Sequence, residues 1–96
     1  MNVDRIVKNE ERLDNITANI NDLEKSLNKF KNNIKDLKLL NKYYGSKNWF
    51  KDKDDYENGK ISKIKAGVLS EDAVWNMNED ISEIIETMKS IIKDYK

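Results

Sequence analysis

From Leu13 onward the chain sets a large apolar residue alternately three and four positions apart: Leu13, Ile16, Ile20, Leu23, Leu27, Phe30, Ile34 and Leu37. That alternation is the a/d stripe of a helix that packs at a shallow angle on another helix. Extended backward, the stripe meets Ile6 at an a position and Asn9 at a d position; extended forward, it meets Asn41 at a and Tyr44 at d. Gly45 follows, where a helix commonly turns off through a left-handed residue. The spacing predicts a helix over about residues 3–44, roughly 60 Å long.

A second stripe is equally regular. Val74, Met77, Ile81, Ile84, Met88, Ile91 and Tyr95 again alternate three and four, and Ile85 and Ile92 widen the face to the e position. Ser70 suits an N-cap, Glu71 and Asp72 suit the positive start of a helix, and Lys89, Lys93 and Lys96 suit its negative end. A helix is expected over about 71–95, roughly 38 Å long. The connector, residues 45–69, is short and polar. Ser46 is placed to cap a short helix carrying Trp49, Phe50 and Tyr56, Asn58-Gly59 is a turn signal, and Ile61, Ile64 and Val68 allow a second helical turn that Gly67 would end.

The whole of 1–96 therefore reads as one all-α domain: a long, coiled-coil-like antiparallel hairpin whose closed end is covered by the connector. Charge agrees with that direction. Residues 1–44 carry nine cations and seven anions, residues 45–69 six and four, and residues 70–96 three and seven. Antiparallel packing lays Glu71, Asp72, Glu79, Asp80, Glu83 and Glu86 beside Lys25, Lys29, Lys31, Lys35, Lys38 and Lys42. Such exposed pairs contribute about 0.2–1 kcal/mol each, so they select orientation more than they stabilise. The first helix outruns the last. In a hairpin closed near 44 and 70, residues 3–17 find no cover within the chain, yet Ile6, Leu13 and Ile16 continue the apolar stripe. Each buried Leu or Ile is worth about 1.5–3 kcal/mol, so a homodimer is expected, with arms crossing or each arm lying on the other copy's hairpin; the alternative is a monomer with a frayed N-terminus.

Composition narrows the chemistry. The 96 residues include no His, no Cys and no Pro, and Lys plus Arg (18) balance Asp plus Glu (18). The chain thus lacks the commonest general base, a thiol nucleophile, a disulfide framework and the usual zinc ligands. Asp52, Asp54, Asp55 and Glu57 invite a calcium reading, but an EF-hand begun at Asp52 would put Tyr56 at position 5, Glu57 at position 6 and Lys63 at position 12. Ser46, Ser62 and Ser70 have no histidine to activate them, and no P-loop is present. A two-layer hairpin also lacks room for a substrate pocket of about 300 Å³ or more. The chain is expected to be non-enzymatic, without cofactor or metal, with no membrane span and no signal peptide, and cytoplasmic. Sixteen lysines against two arginines, Arg5 and Arg12, interspersed with acids, make nucleic-acid binding through the Lys25–Lys42 face the weakest of the readings.

The aromatics point to binding instead. Trp49, Phe50 and Tyr56 are expected to fold back on Tyr43 and Tyr44 and cap the core. Trp75 stands one step off its stripe, on a face shared with Asn78 and Ser82. It is either covered by the connector or exposed as an anchor for a partner, a role in which Trp is over-represented. Candidate partner-binding residues are Ile6, Leu13, Ile16, Trp75, Glu79 and Glu83.

Tyr43-Tyr44-Gly45-Ser46, then Trp49 and Asp52, Gly59, and Gly67-Val68-Leu69-Ser70-Glu71-Asp72 carry a resemblance over nearly the whole chain. They make it similar to the small bacterial domain-of-unknown-function family 4298, in which a Leu-rich leading helix also occurs. That family usually has Pro near position 62, where this chain has Ser62. The resemblance implies a helical fold and no assigned activity. The function expected is a protein–protein interaction module. Its more specific form is a mobile-element protein that docks on a larger host defence nuclease and blocks it, as an anti-CRISPR protein does, an acidic helix occupying a basic channel. The rival is a housekeeping dimerisation or scaffold module.

Overall fold

The computed structural model describes residues 3–96. Among them are three α helices and no strand: α1, Val3–Tyr43; α2, Lys47–Glu57; and α3, Ala73–Tyr95, with a single 3-10 turn at Gly67–Leu69 before α3. This is the all-α class that the two stripes predict. The chain divides into two units, one ending at Lys38 and one running from Leu39 to Lys96.

From Val3 to Lys38 the first unit is uninterrupted helix. It contains neither Gly nor Pro, and Asp4 lies in its first turn, where a negative charge favours the exposed N–H groups. No residue of α1 is buried.

The second unit holds the last turn of α1, the connector and α3. Gly45 ends α1 at φ +77°, with the Tyr44 N–H donating to the Leu40 carbonyl at 2.9 Å and the Ser46 N–H to the Tyr43 carbonyl at 3.0 Å. The Ser46 hydroxyl then accepts the Trp49 N–H at 3.2 Å and caps α2. At the other end of α2, Gly59 (φ +72°) sits in the turn that Asn58-Gly59 predicts, closed by the Lys60 N–H on the Asp55 carbonyl at 2.9 Å. Gly45→Ala places a Cβ in open space but in a left-handed backbone. It should lower stability by about 1–2 kcal/mol, read as a lower midpoint in urea unfolding.

Two expectations about the connector are corrected. Residues 61–66 form no helical turn, and Ile64 is exposed; the helical turn comes later and is the short 3-10 one at Gly67–Leu69, whose Val68 carbonyl is committed to Trp49. Regular helix begins at Ala73 rather than 71, because Glu71 and Asp72 form a turn. Ser70 still caps this start: its hydroxyl accepts the Ala73 N–H at 3.1 Å and donates to the Gly67 carbonyl at 2.8 Å.

Trp49, Leu69 and Val74 are the buried hydrophobic residues, one each from α2, the 3-10 turn and α3. Across them, Asn41 and Asn78 exchange amide hydrogen bonds (2.9 and 3.3 Å), and the Tyr44 hydroxyl donates to the Glu71 carbonyl at 2.7 Å. Position 41 thus meets 78 and position 44 meets 71, so the end of α1 and the start of α3 run antiparallel. The closed end is that of a helical hairpin.

The stripes are much less covered than their regularity suggests. On α1, Ile6, Leu13, Ile16, Ile20, Leu23 and Leu27 are all exposed, and only from Phe30 on, at Phe30, Ile34 and Leu37, are ridge residues half-buried. On α3, Val74 is buried and Met77, Ile81 and Met88 are half-buried, but Ile84, Ile85, Ile91 and Ile92 are exposed. The apolar face of α3 is wide, and only one edge of it is covered. The expectation that the first helix needs outside cover only over residues 3–17 is therefore too narrow: its open ridge reaches Leu27.

Candidate interaction surface

Most of the residues that carry the family resemblance have a structural task at the closed end or in the turns that lead from it. The Trp49 indole N–H donates to the Val68 carbonyl at 2.9 Å, and its ring meets Tyr44 and Phe50 edge-on, with centroids 5.2 and 4.9 Å away. Edge-on aromatic contacts add about 0.5–1.5 kcal/mol beyond area burial. Phe50 itself is exposed, against the expectation that it caps the core. It borders Trp49 and leaves its outer face open.

The Tyr43 hydroxyl donates to Asp52 Oδ2 at 2.6 Å. That hydrogen bond first, then burial and the carboxylate's charge, push the Tyr43 phenol up to about 12. The protonated form is favoured by folding, so the contribution is fully present below the ordinary value of 10.0 and is lost as the pH rises towards 12. An ultraviolet titration should show the Tyr43 phenol ionising near pH 12, and Asp52→Asn should return it towards 10. An unchanged high-pH phenol titration on Asp52→Asn would contradict this.

Lys53 is a hub. Its ammonium lies 3.0 Å from Glu71 Oε1 and 3.8 Å from Glu57 Oε1, and 5.5 Å from the Trp49 ring centroid, within cation–π range. The Glu71 hydrogen bond is foremost in holding it above the ordinary lysine value; burial pulls the other way. Glu71 thus pairs with a lysine of α2, not with a lysine of the first helix as the charge layout predicts. The connector acids are divided among separate partners rather than gathered as a calcium loop: Asp52 takes Tyr43, Asp55 takes Lys60 at 3.9 Å, and Glu57 takes Lys53. A cleft of about 220 Å³ beside them, lined by Lys53, Tyr56, Glu57, Ala66, Leu69 and Ser70, falls short of the roughly 300 Å³ at which small-molecule sites begin.

Ile6, Leu13 and Ile16 are exposed by 57–59% and share one face of α1 with Ile20, Leu23 and Leu27. Isolated apolar side chains on a surface are ordinary, but a contiguous ridge is not. The other candidates lie on α3. Trp75 is 61% exposed, so the connector does not cover it. Glu79 and Glu83 follow at successive i+4 steps on its face, and both are exposed. Sequence reasoning missed Ile20, Leu23 and Leu27 as open residues, because periodicity shows which residues share a face and not whether that face is covered. No helix among the described residues is long and apolar enough to cross a membrane.

A family model described as Domain of unknown function (DUF4298) matches residues 6–91. No curated protein and no solved structure matches the chain.

Proposed function

We propose that this chain, which belongs to the DUF4298 family, is a helical protein-interaction module with no chemistry of its own. The observation that carries the reading is that six of the seven a/d positions from Ile6 to Leu27 hold large apolar residues, interrupted only by Asn9, all exposed and all on one face. Burying each such side chain is worth about 1.5–3 kcal/mol, and a lone helical segment of this length is only marginally stable in water. A binding partner along the ridge supplies both the burial and the order. Self-association is the simplest form of that binding, because one surface then serves both members.

The test is the mass of the chain in solution by sedimentation or light scattering. The parent should run above the 11.3 kDa of a single chain, and Leu13→Asp should return it to that value. An unchanged mass on Leu13→Asp would overturn the reading.

A finer reading is favoured by the exposure of Trp75 with Glu79 and Glu83 on one face of α3. An acidic strip with an aromatic anchor suits a basic channel on a larger protein, as a mobile-element inhibitor of a CRISPR-type nuclease would need. Such an inhibitor should slow the nuclease at stoichiometric ratio and lose that effect on Glu79→Lys with Glu83→Lys. No inhibition in excess would dispose of the finer reading and leave the module itself untouched.

A further inference from the structure

Charge along α1 is divided. Residues 3–24 carry six acids (Asp4, Glu10, Glu11, Asp14, Asp22 and Glu24) against three bases. Residues 25–43 carry six lysines against the single acid Asp36, so the halves stand at −3 and +5. The apolar ridge runs through both. Two such helices laid side by side in the same direction would set acid on acid and lysine on lysine. Reversed, the acidic half of each meets the basic half of the other.

We propose that α1 pairs antiparallel with α1 of a second copy of this chain, along its full length, in a two-fold symmetric dimer. The inference rests on the reading of the ridge as an interaction surface and adds the occupant, the direction and the register. Direction comes from the flanks of the ridge. Glu10, Glu24, Lys31 and Lys38 all occupy e positions, the positions whose charges select partner and orientation in coiled coils. In the reversed pair the e position of one helix borders the e position of the other, so Glu10 falls near Lys38 of the second copy at both ends of the pair, Lys31 near its Thr17, and Glu24 beside its own counterpart at the two-fold axis.

Register comes from the two asparagines on the ridge. Full overlap places level those residues whose numbers sum to about 50, with a facing d throughout. Asn9 then stands opposite Asn41, Leu13 opposite Leu37, Ile16 opposite Ile34, Ile20 opposite Phe30, and Leu23 opposite Leu27. A shift by one heptad would set Asn9 against Ile34 or Asn41 against Ile16, an amide against an apolar side chain in the seam. Both amides have capacity left. Asn41 spends one donor and one acceptor site on Asn78, and Asn9 spends one of each on the Arg5 carbonyl and Arg12. A parallel in-register pair would also match asparagine with asparagine, so it is the charge division that decides direction.

The chain has no cysteine, which permits a clean distance measurement on the full-length protein. Lys8→Cys and Lys25→Cys, each carrying one spin label, alter exposed positions off the ridge. In the proposed dimer the two labels at position 25 flank the two-fold axis and lie roughly 20–30 Å apart, for helices about 10 Å apart. The two labels at position 8 are separated by most of the helix, about 50 Å. A short distance at both positions would mean a parallel pair and overturn the inference, while the ridge would remain an interaction surface. Absence of dipolar coupling at both positions would overturn it too, and the sedimentation of Leu13→Asp would then decide separately whether the ridge binds anything.

Discussion

Trp49→Ala should abolish the cooperative unfolding of residues 39–96 while leaving most of the α1 sequence chemically untouched. A buried Trp to Ala change costs about 3–5 kcal/mol, and a core in a unit of this size rarely supplies more than about 3–5 kcal/mol in all. Trp49 is one of only three buried hydrophobic residues among those described, and it joins α2 to the 3-10 turn through the Val68 carbonyl and to the end of α1 through Tyr44. Its loss would also strip Lys53 of the ring under its ammonium. Thermal unfolding followed by circular dichroism should lose its sigmoidal transition. Trp49→Phe should retain a transition at a lower midpoint, since it keeps the ring and loses the N–H. A melting temperature for Trp49→Ala within a degree or two of the parent would show that the closed end does not depend on this side chain.

The second large effect is expected on the ridge. Leu13→Asp combined with Ile20→Asp puts two carboxylates on a face that gains its stability from cover, at about 1.5–3 kcal/mol for each apolar side chain displaced. Without that cover, residues 3–27 are a polar helix with few alanines, held only by local propensity. Far-ultraviolet circular dichroism should therefore fall by up to roughly a third of the helical signal, and dilution of the parent should reproduce the same loss. The melting of the closed end, by contrast, should be nearly unchanged, because Trp49, Leu69 and Val74 lie in the other unit. Full helicity in the double variant would mean that α1 stands alone.

Much of this architecture is written locally. Gly45 and Gly59 end helices because the left-handed backbone that closes a helix costs them least, and Ser46 and Ser70 start them because a hydroxyl three residues ahead of an open N–H can accept it. The 3.5-residue repeat identifies α1 and α3 with bounds accurate to two residues. Three features were not legible. The segment Ile61–Ala66 carries apolar residues at helical spacing, yet its path is set by Val68 meeting Trp49, a contact nineteen positions apart. Glu71 pairs with Lys53 because the α2 lysine is delivered to it by the fold, and no charge count along the chain reveals that. The coverage of the stripes depends on how much surface faces them, and Ile84, Ile85, Ile91 and Ile92 show that the apolar face of α3 is wider than its cover. Of the candidate site, Ile6, Leu13 and Ile16 were visible as ridge positions, and Trp75 as an off-stripe aromatic; its exposure is a property of the folded connector.

Amide hydrogen exchange over residues 6–27, followed at rising protein concentration, tests the covered ridge most directly. Protection that climbs with concentration, while protection around Trp49 stays constant, is the result this account predicts. Exchange in that segment that is the same at every concentration would contradict it.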